Sequence, residues 1–361
     1  MDKESNILAY IRLNPYISQQ ELAEKVGISR SAVAGYIANL TKRGVIKGRA
    51  YILREEAAFI CIGGANLDRK AKAKEKVRLH SSNPVLISES CGGVARNVAE
   101  NLGRLGVPTG LLTCVGDDQA GHWVLQETKQ HGVDVSQSWI LREEHTGTYT
   151  ALLDVDGEMI VALANMEIYD RFTPDKLAER WSHLAGARGI FADTNLPAES
   201  LLYLIERCRE ADLPLYMDPV SSAKAKKLPE RLDGVDVILP NREEAAYLAG
   251  TDVDTEEQVA QAAARIRERG VRCAVITMGE QGVYCQSDQG EALLPPIPAD
   301  VVDVTGAGDA FAAGFLFGKA NGENDLTACR MGLAAASLTL STAESVSPLL
   351  KAEKLFEMTK E

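Results

Sequence analysis

Two kinds of hydrophobic spacing divide this chain. In residues 4–53 the apolar positions recur at helical intervals and the segments are short. Ile7, Leu8 and Ile11 form a first stripe that ends at Asn14-Pro15. Ser18-Gln19-Gln20-Glu21 is a capping box, which opens a second helix with Leu22, Ala23 and Val26 inward. Gly27 makes a turn, Ser29 caps a third helix whose core face is Val33, Ile37 and Leu40, and Gly44 ends it. Val45–Leu53, with Gly48 in the middle, is expected to be a two-stranded wing.

Beyond this head the pattern changes to short apolar runs separated by amphipathic stretches. Ala58–Ile62, Gly110–Val115, Gly189–Asp193, Leu213–Asp218, Val235–Leu239, Ala274–Met278 and Gly282–Cys285 read as strands. Arg96–Leu105, Glu199–Ala211 and Glu256–Arg269 read as helices between them. The alternation predicts an α/β three-layer sandwich around a mostly parallel sheet, with ligands outside the carboxyl ends of the strands. Two stretches, Lys70–Ser90 and Gly147–Leu163, read as extended without an intervening helix, the second around an Asp156-Gly157 turn. The expected domains are residues 1–54 and 55–361.

Charge sharpens that division. The chain of 361 residues carries a net −12, yet residues 1–54 alone carry +5, which leaves −17 on the remainder. A basic head on an acidic body implies different partners for the two. The seven cysteines are scattered, with no Cys-x-x-Cys pair, and the five histidines show no zinc-binding spacing. Absence of a long apolar run or a leader-like N-terminus makes the expected location cytoplasmic.

The densest chemistry lies in Asp303-Val304-Thr305-Gly306-Ala307-Gly308-Asp309, followed by Ala310-Phe311-Ala312-Ala313-Gly314-Phe315. Gly306, Ala307 and Gly308 let the backbone turn sharply into a helix expected to begin near Gly308, with Phe311 and Phe315 as its buried stripe. A helix N-terminus presents free amides and a positive dipole end to an anion. Asp309 beside it can take a proton from an attacking hydroxyl. Together they point to phosphoryl transfer to a small alcohol.

This string resembles the C-terminal signature of the ribokinase-like (PfkB-type) carbohydrate kinases, and Gly92-Gly93-Val94-Ala95-Arg96-Asn97-Val98-Ala99 resembles their N-terminal one, with Val94 where many members carry Lys or Gly. Gly-x-Gly-x-x-Gly and P-loop patterns are absent. The resemblance spans residues 58–352 and implies several roles. Asp309 would be the base, and the Gly306–Gly308 amides the anion hole. Asn66, Asp68, Gly92, Gly93 and Asn97 would meet the sugar under a small β-lid near residues 68–90 and 147–165. Thr277, Gly279 and Gly282, with Gly306 and Gly308, would hold ATP, and helix Met331–Leu340 would wall the adenine. Asn241 and Glu244 of Pro240-Asn241-Arg242-Glu243-Glu244 would hold Mg²⁺ through water, and Asp303 and Thr305 would bind a monovalent cation, K⁺. Three stretches, Ser81-Ser82-Asn83-Pro84, Gly157-Glu158-Met159 and Asp193-Thr194-Asn195-Leu196-Pro197, resemble the pseudouridine kinase branch, with Asn83 and Asn195 facing the base. Ribose or another sugar or nucleoside is the alternative substrate. The basic run Arg69, Lys70, Lys72, Lys74 and Lys76 is expected to be solvated.

The head resembles bacterial winged helix-turn-helix domains. Its third helix would offer Arg30, Ser31, Ala34, Gly35, Ala38 and Lys42 to DNA, with Lys47 and Arg49 on the wing. A homodimer is expected, since such modules act in pairs. A regulator that uses the kinase body only as a ligand sensor is the competing reading of the whole chain. The presence of Asp309, the glycine turn and Asn241/Glu244 argues against it.

Overall fold

The computed structural model describes residues 3–15, 17–47 and 58–360. The head is three helices, α1 (Lys3–Leu13), α2 (Gln19–Val26) and α3 (Arg30–Lys42). Both bonds of the Ser18/Glu21 capping box form, and Gly27 ends α2 in the left-handed conformation. Ile7, Ile11, Leu22, Val33, Ile37 and Leu40 close a small core of their own. Most of the expected wing, including Gly48 and Arg49, lies outside the described residues.

The body begins with β1 (Phe59–Ile62), β2 (Asn66–Ala73), β3 (Val85–Gly92) and α4 (Val94–Arg104). Then come β4 (Thr109–Leu112), β5 (Cys114–Gly116), α5 (Gln119–Gln130), β6 (Val133–Asp134), β7 (Trp139–Leu141), β8 (Thr148–Leu153) and β9 (Met159–Asn165). Strand and helix alternate through α6 (Pro174–Leu184), β10 (Gly189–Asp193), α7 (Ala198–Ala211), β11 (Leu215–Asp218), α8 (Ser222–Ala225), β12 (Val237–Ile238), α9 (Arg242–Ala249) and α10 (Glu256–Glu268). The chain closes with β13 (Cys273–Thr277), β14 (Val283–Ser287), β15 (Gly290–Leu294), α11 (Ala307–Ala320), α12 (Asp325–Leu340) and α13 (Ala352–Met358).

The main sheet runs β15-β14-β13-β12-β11-β10-β1-β4-β6. It is parallel from β13 to β6, and β14 and β15 add an antiparallel edge. Each central strand is buried on both faces, as its unbroken apolar run requires. One core layer packs α6, α7, α9 and α10 on one face, and a second packs α4, α11, α12 and α13 on the other. Among the described residues no helix is long and apolar enough to cross a membrane. All seven cysteines are free and buried.

Three local expectations are corrected. The Gly110–Val115 run is not one strand: it breaks at Thr113, whose hydroxyl donates to the Gly63 carbonyl at 2.7 Å, and β5 leaves the main sheet to pair with β7. The extended segments are longer than expected at their inner ends. β2 starts at Asn66 and β3 ends at Gly92, so Asn66, Asp68 and Gly92 all belong to the lid sheet β3-β2-β8-β9. Finally, α11 starts at Ala307 and buries every residue from Ala310 to Gly318, not a Phe stripe alone, because both sheet and α12 enclose it.

Candidate active site

The carboxyl ends of β11, β12 and β13 open onto a cleft of about 150 Å³ against the start of α11. Asp218, Asn241, Glu244, Thr277, Gly308 and Asp309 line it, with Val94, Val220, Leu239 and Phe311 as apolar walls. Gly306, at φ 81°, makes the left-handed turn into α11, and its α-carbon lies against the Ser345 backbone, where a side chain has no room. No side chain caps α11. The Gly308 and Asp309 amides make no backbone hydrogen bond, so this helix end is open for an anion beside the cleft. Gly308 differs from Gly306: a β-carbon there would meet nothing within 4 Å.

Asp309 lies in the first turn of α11. Asn97 Nδ2 donates to its Oδ2 at 2.7 Å. Burial, with the negative charges of Asp193 and Asp68, pushes the Asp309 carboxyl up to about 7, against the opposing Asn97 bond and Arg96 charge. The Asn97 carbonyl oxygen accepts from Arg96 Nη1 at 2.9 Å, so the amide expected to face a sugar is committed first to Asp309. Arg96 in turn donates to the Cys91 carbonyl and pairs with buried Glu100, which fixes the start of α4.

At the lid, Asn66 Nδ2 donates to Asp68 Oδ1 at 2.5 Å, and burial lifts the Asp68 carboxyl to about 6. Gly92 and Gly93 are required by packing within the protein: Gly92 lies against the Asp68 carboxylate, and Gly93, at φ 100°, against the Gly64 carbonyl. Asn83 stands apart from these groups. Its side chain braces its own loop, accepting from the Arg78 amide and donating to the Arg78 and Ser81 carbonyls. The basic run is solvated as expected, with Arg69, Lys72, Lys74 and Lys76 exposed; Arg69 pairs with Glu89 at the surface, and half-buried Lys70 reaches across to Asp303 at 3.0 Å. Asp303 Oδ1 also accepts from the Thr305 amide and hydroxyl. A lysine ammonium thus already stands on the carboxylate expected to bind a monovalent cation.

Asn241 and Glu244 form a capping box at the start of α9, and Glu244 is nevertheless part of the cleft wall. Burial raises the Glu244 carboxyl, and Asp218 is raised well above the ordinary carboxylate range by burial and by the nearby Glu244 and Asp309 charges. Such mutual repulsion is relieved by a cation, and an all-oxygen donor set suits Mg²⁺. Among the described residues no cluster of side chains is close enough to hold a metal directly. Thr277 ends β13, and Gly279 (φ 57°) and Gly282 (φ 87°) shape the hairpin to β14. Within Met331–Leu340, by contrast, Met331, Leu333, Ala334 and Ala335 are core, packed with α11.

Sequence reasoning missed two carboxylates. Asp218 and Asp193 are the last residues of β11 and β10 and pair in register. Their signal was available: a lone acid closing an apolar parallel strand stands where ligands bind. Asn195 follows Asp193, buried, with its Oδ1 on Lys224 Nζ at 2.6 Å.

In the head, Arg30, Ser31, Gly35, Ala38 and Lys42 are exposed on α3, while Ala34 is half-buried. Lys47 is exposed after α3, and Ser31 shares a hydrogen bond with the capping Ser29.

Residues 57–352 match the pfkB family of carbohydrate kinases. The chain belongs to that family. Residues 2–47 match winged helix-turn-helix DNA-binding domains, so this kinase carries a DNA-binding-type head. It is 32% identical to an uncharacterized sugar kinase of Escherichia coli over 99% of this chain and 98% of that one. It is 36% identical to the Escherichia coli pseudouridine kinase over 82% of this chain and 94% of that one. A carbohydrate kinase structure from Agrobacterium tumefaciens, 32% identical, superposes with a TM-score of 0.75 over 84% of this chain and 97% of that one. The Arabidopsis thaliana ribokinase complexed with ribose and ATP, at 22% identity, shares the fold, with a TM-score of 0.73 over 84% and 99% of the two chains.

Proposed function

We propose that this sugar or nucleoside kinase transfers the γ-phosphoryl group of ATP to the hydroxymethyl group of pseudouridine, giving pseudouridine 5′-phosphate. The observation that carries the transfer chemistry is the uncapped N-terminus of α11 with Asp309 in its first turn, both at one cleft. Asn97 orients Asp309, which takes the proton as the hydroxyl oxygen attacks the γ-phosphorus. The bond to the ADP oxygen breaks as the new one forms. The Gly306–Gly308 turn and its amides receive the charge on the transferring group. Thr277, Gly279 and Gly282 hold the nucleotide beside them. Asn241, Glu244 and Asp218 would hold Mg²⁺ through water, and the ion would neutralise charge on the phosphates. Asn66, Asp68 and the Gly92-Gly93 turn enclose the alcohol under the lid.

The choice of pseudouridine is supported by the Escherichia coli relative. Of the expected base-reading pair, Asn83 is occupied with its own loop and buried Asn195 with Lys224 and Asp193. The Asp303/Thr305 turn is the edge of a K⁺ site only where Lys70 withdraws. Residues 1–54 form the DNA-binding domain of a cytoplasmic protein whose body, residues 55–361, is the kinase. The protein pairs through the lid, whose strands expose Leu86, Ile87, Ile160, Val161 and Leu163.

The test is ATP consumption over a panel containing pseudouridine, uridine, ribose and fructose, with the product identified by mass. Turnover of ribose alone transfers the assignment to a ribokinase. No turnover of any alcohol with ATP bound leaves the kinase body a ligand sensor.

A further inference from the structure

Asp193 is not among the residues that line the cleft, although it pairs with Asp218, which is, and three separate segments of the site meet on it. Its Oδ2 accepts from the Gly64 amide and from the Ala95 amide, each at 2.9 Å. Its Oδ1 accepts from the Asn195 amide at 2.9 Å, and the Asn195 side chain adds a further donor. Gly63, at φ 148°, lies so close to the carboxylate that a β-carbon there would overlap it. These partners come from the loop after β1, the N-terminus of α4 and the loop after β10. Every one of them is a donor. Burial raises the Asp193 carboxyl, and these donors oppose that rise, each bond favouring the ionised form. A buried carboxylate also needs compensating charge. Lys224 supplies it at one remove: its ammonium donates to Asn195 Oδ1 at 2.6 Å, which turns the amide so that its nitrogen faces Asp193.

We propose that Asp193 is a positioning residue of the transfer reaction, a buried carboxylate that, balanced by Lys224 through the Asn195 amide, sets the spacing between the Gly63-Gly64 loop that leads into the Asn66/Asp68 strand, the Gly-Gly helix and Asp309. The proposal rests on Asp309 being the base. Ala95 and Asn97 share the first turn of α4, so the Asp193 clamp on Ala95 fixes the helix whose Asn97 holds Asp309. The charge matters as well as the tether. The groups facing Asp309 are Asp193 from β10, Asp68 from β2, Arg96 and Asn97 from α4, Asp218 from β11 and Glu244 from α9. After burial, the Asp193 charge, together with that of Asp68, holds the Asp309 carboxyl up.

Asp193→Asn is the decisive variant, because one of its terminal atoms then presents N–H groups where N–H groups already point. Full-length protein is assayed with ATP and Mg²⁺ on pseudouridine and on ribose, and the Asp309 carboxyl is titrated directly by carbon NMR without ligand. We expect kcat/KM for the alcohol to fall about 10²-fold, as a small misplacement of reacting groups does, with the KM for ATP unchanged. We expect the Asp309 titration midpoint to move to lower pH by roughly half a unit, since a like charge is lost. An unmoved midpoint, or alcohol kcat/KM within about threefold of wild type, overturns the proposal. If Asp193→Asn does not fold, Lys224→Met decides: it leaves the three backbone bonds and removes only the ammonium. The alcohol KM should then rise about tenfold at constant ATP KM and recover in Lys224→Arg, and no rise overturns the proposal. Inactivity of both alcohols with wild type sinks the substrate assignment alone, because the NMR readout needs no alcohol.

Discussion

Asn97 and Asp309 lie 212 residues apart in the chain and share a 2.7 Å hydrogen bond across the mouth of the cleft. The bond joins the first turn of α4 to the first turn of α11, so the Gly-Gly motif and the Gly-Ala-Gly-Asp motif are held as one unit.

Asp309→Asn should lower kcat by about 10²–10⁴-fold while ATP still binds, the usual loss of a general base. A mutant keeping more than half of the wild-type kcat removes Asp309 from that role.

The pH profile follows from the same residue. With its carboxyl lifted to about 7, Asp309 is ionised only above that pH, so kcat/KM should rise through an acid limb near 7 and level off. The sign for stability is opposite. A folded-state value above the unfolded one means that stability is full below about 4 and is lost as pH climbs through 7. Asp309→Asn should therefore melt higher than wild type at pH 8, by on the order of 2 kcal/mol, and much less so at pH 5. Equal melting at both values contradicts a buried, strained carboxylate.

Gly308→Ala separates folding from catalysis. Nothing within 4 Å would meet the added methyl, and φ there is not left-handed, so the helix should gain about 0.5–1 kcal/mol. The methyl would stand where the transferring group belongs, and kcat should drop by at least about tenfold. A stable and fully active variant shows that the open helix end binds no phosphate.

Glu244→Gln keeps the capping box, since Gln serves at that position as Glu does. Any change then reports the lost charge. The Mg²⁺ concentration for half-activity should rise about tenfold with the melting temperature unchanged. An unaltered Mg²⁺ dependence leaves Asn241 and Glu244 as a helix start only.

For the head, DNA affinity should fall steeply with salt, because each neutralised phosphate releases counterions. Arg30→Ala or Lys42→Ala should cost about 1–3 kcal/mol where the side chain reads a base, with kinase turnover untouched. Absence of salt-sensitive binding to promoter DNA reduces the head to a protein-contact module.

Local chemistry was legible in the residue order. The Ser18/Glu21 box, the Gly27 turn, most of the apolar strands and the glycine turn before α11 depend on neighbours a few positions away, and these form where their residues place them. Asn241 and Glu244 were visible too, although only the fold shows that a helix cap also walls the cleft. What depended on distant partners was not legible. Thr113 breaks an apolar run because the Gly63 carbonyl is in reach, and Lys70, still solvent-accessible, pairs with Asp303, 233 residues away. Asp193 looks like the end of a strand until Gly64 and Ala95, 129 and 98 residues away, bring their amides to it. Periodicity and capping act within a turn or two of chain and are written in the sequence. The pairing of a buried charge is settled only when several segments close around it, and that is where the tertiary structure decided the site.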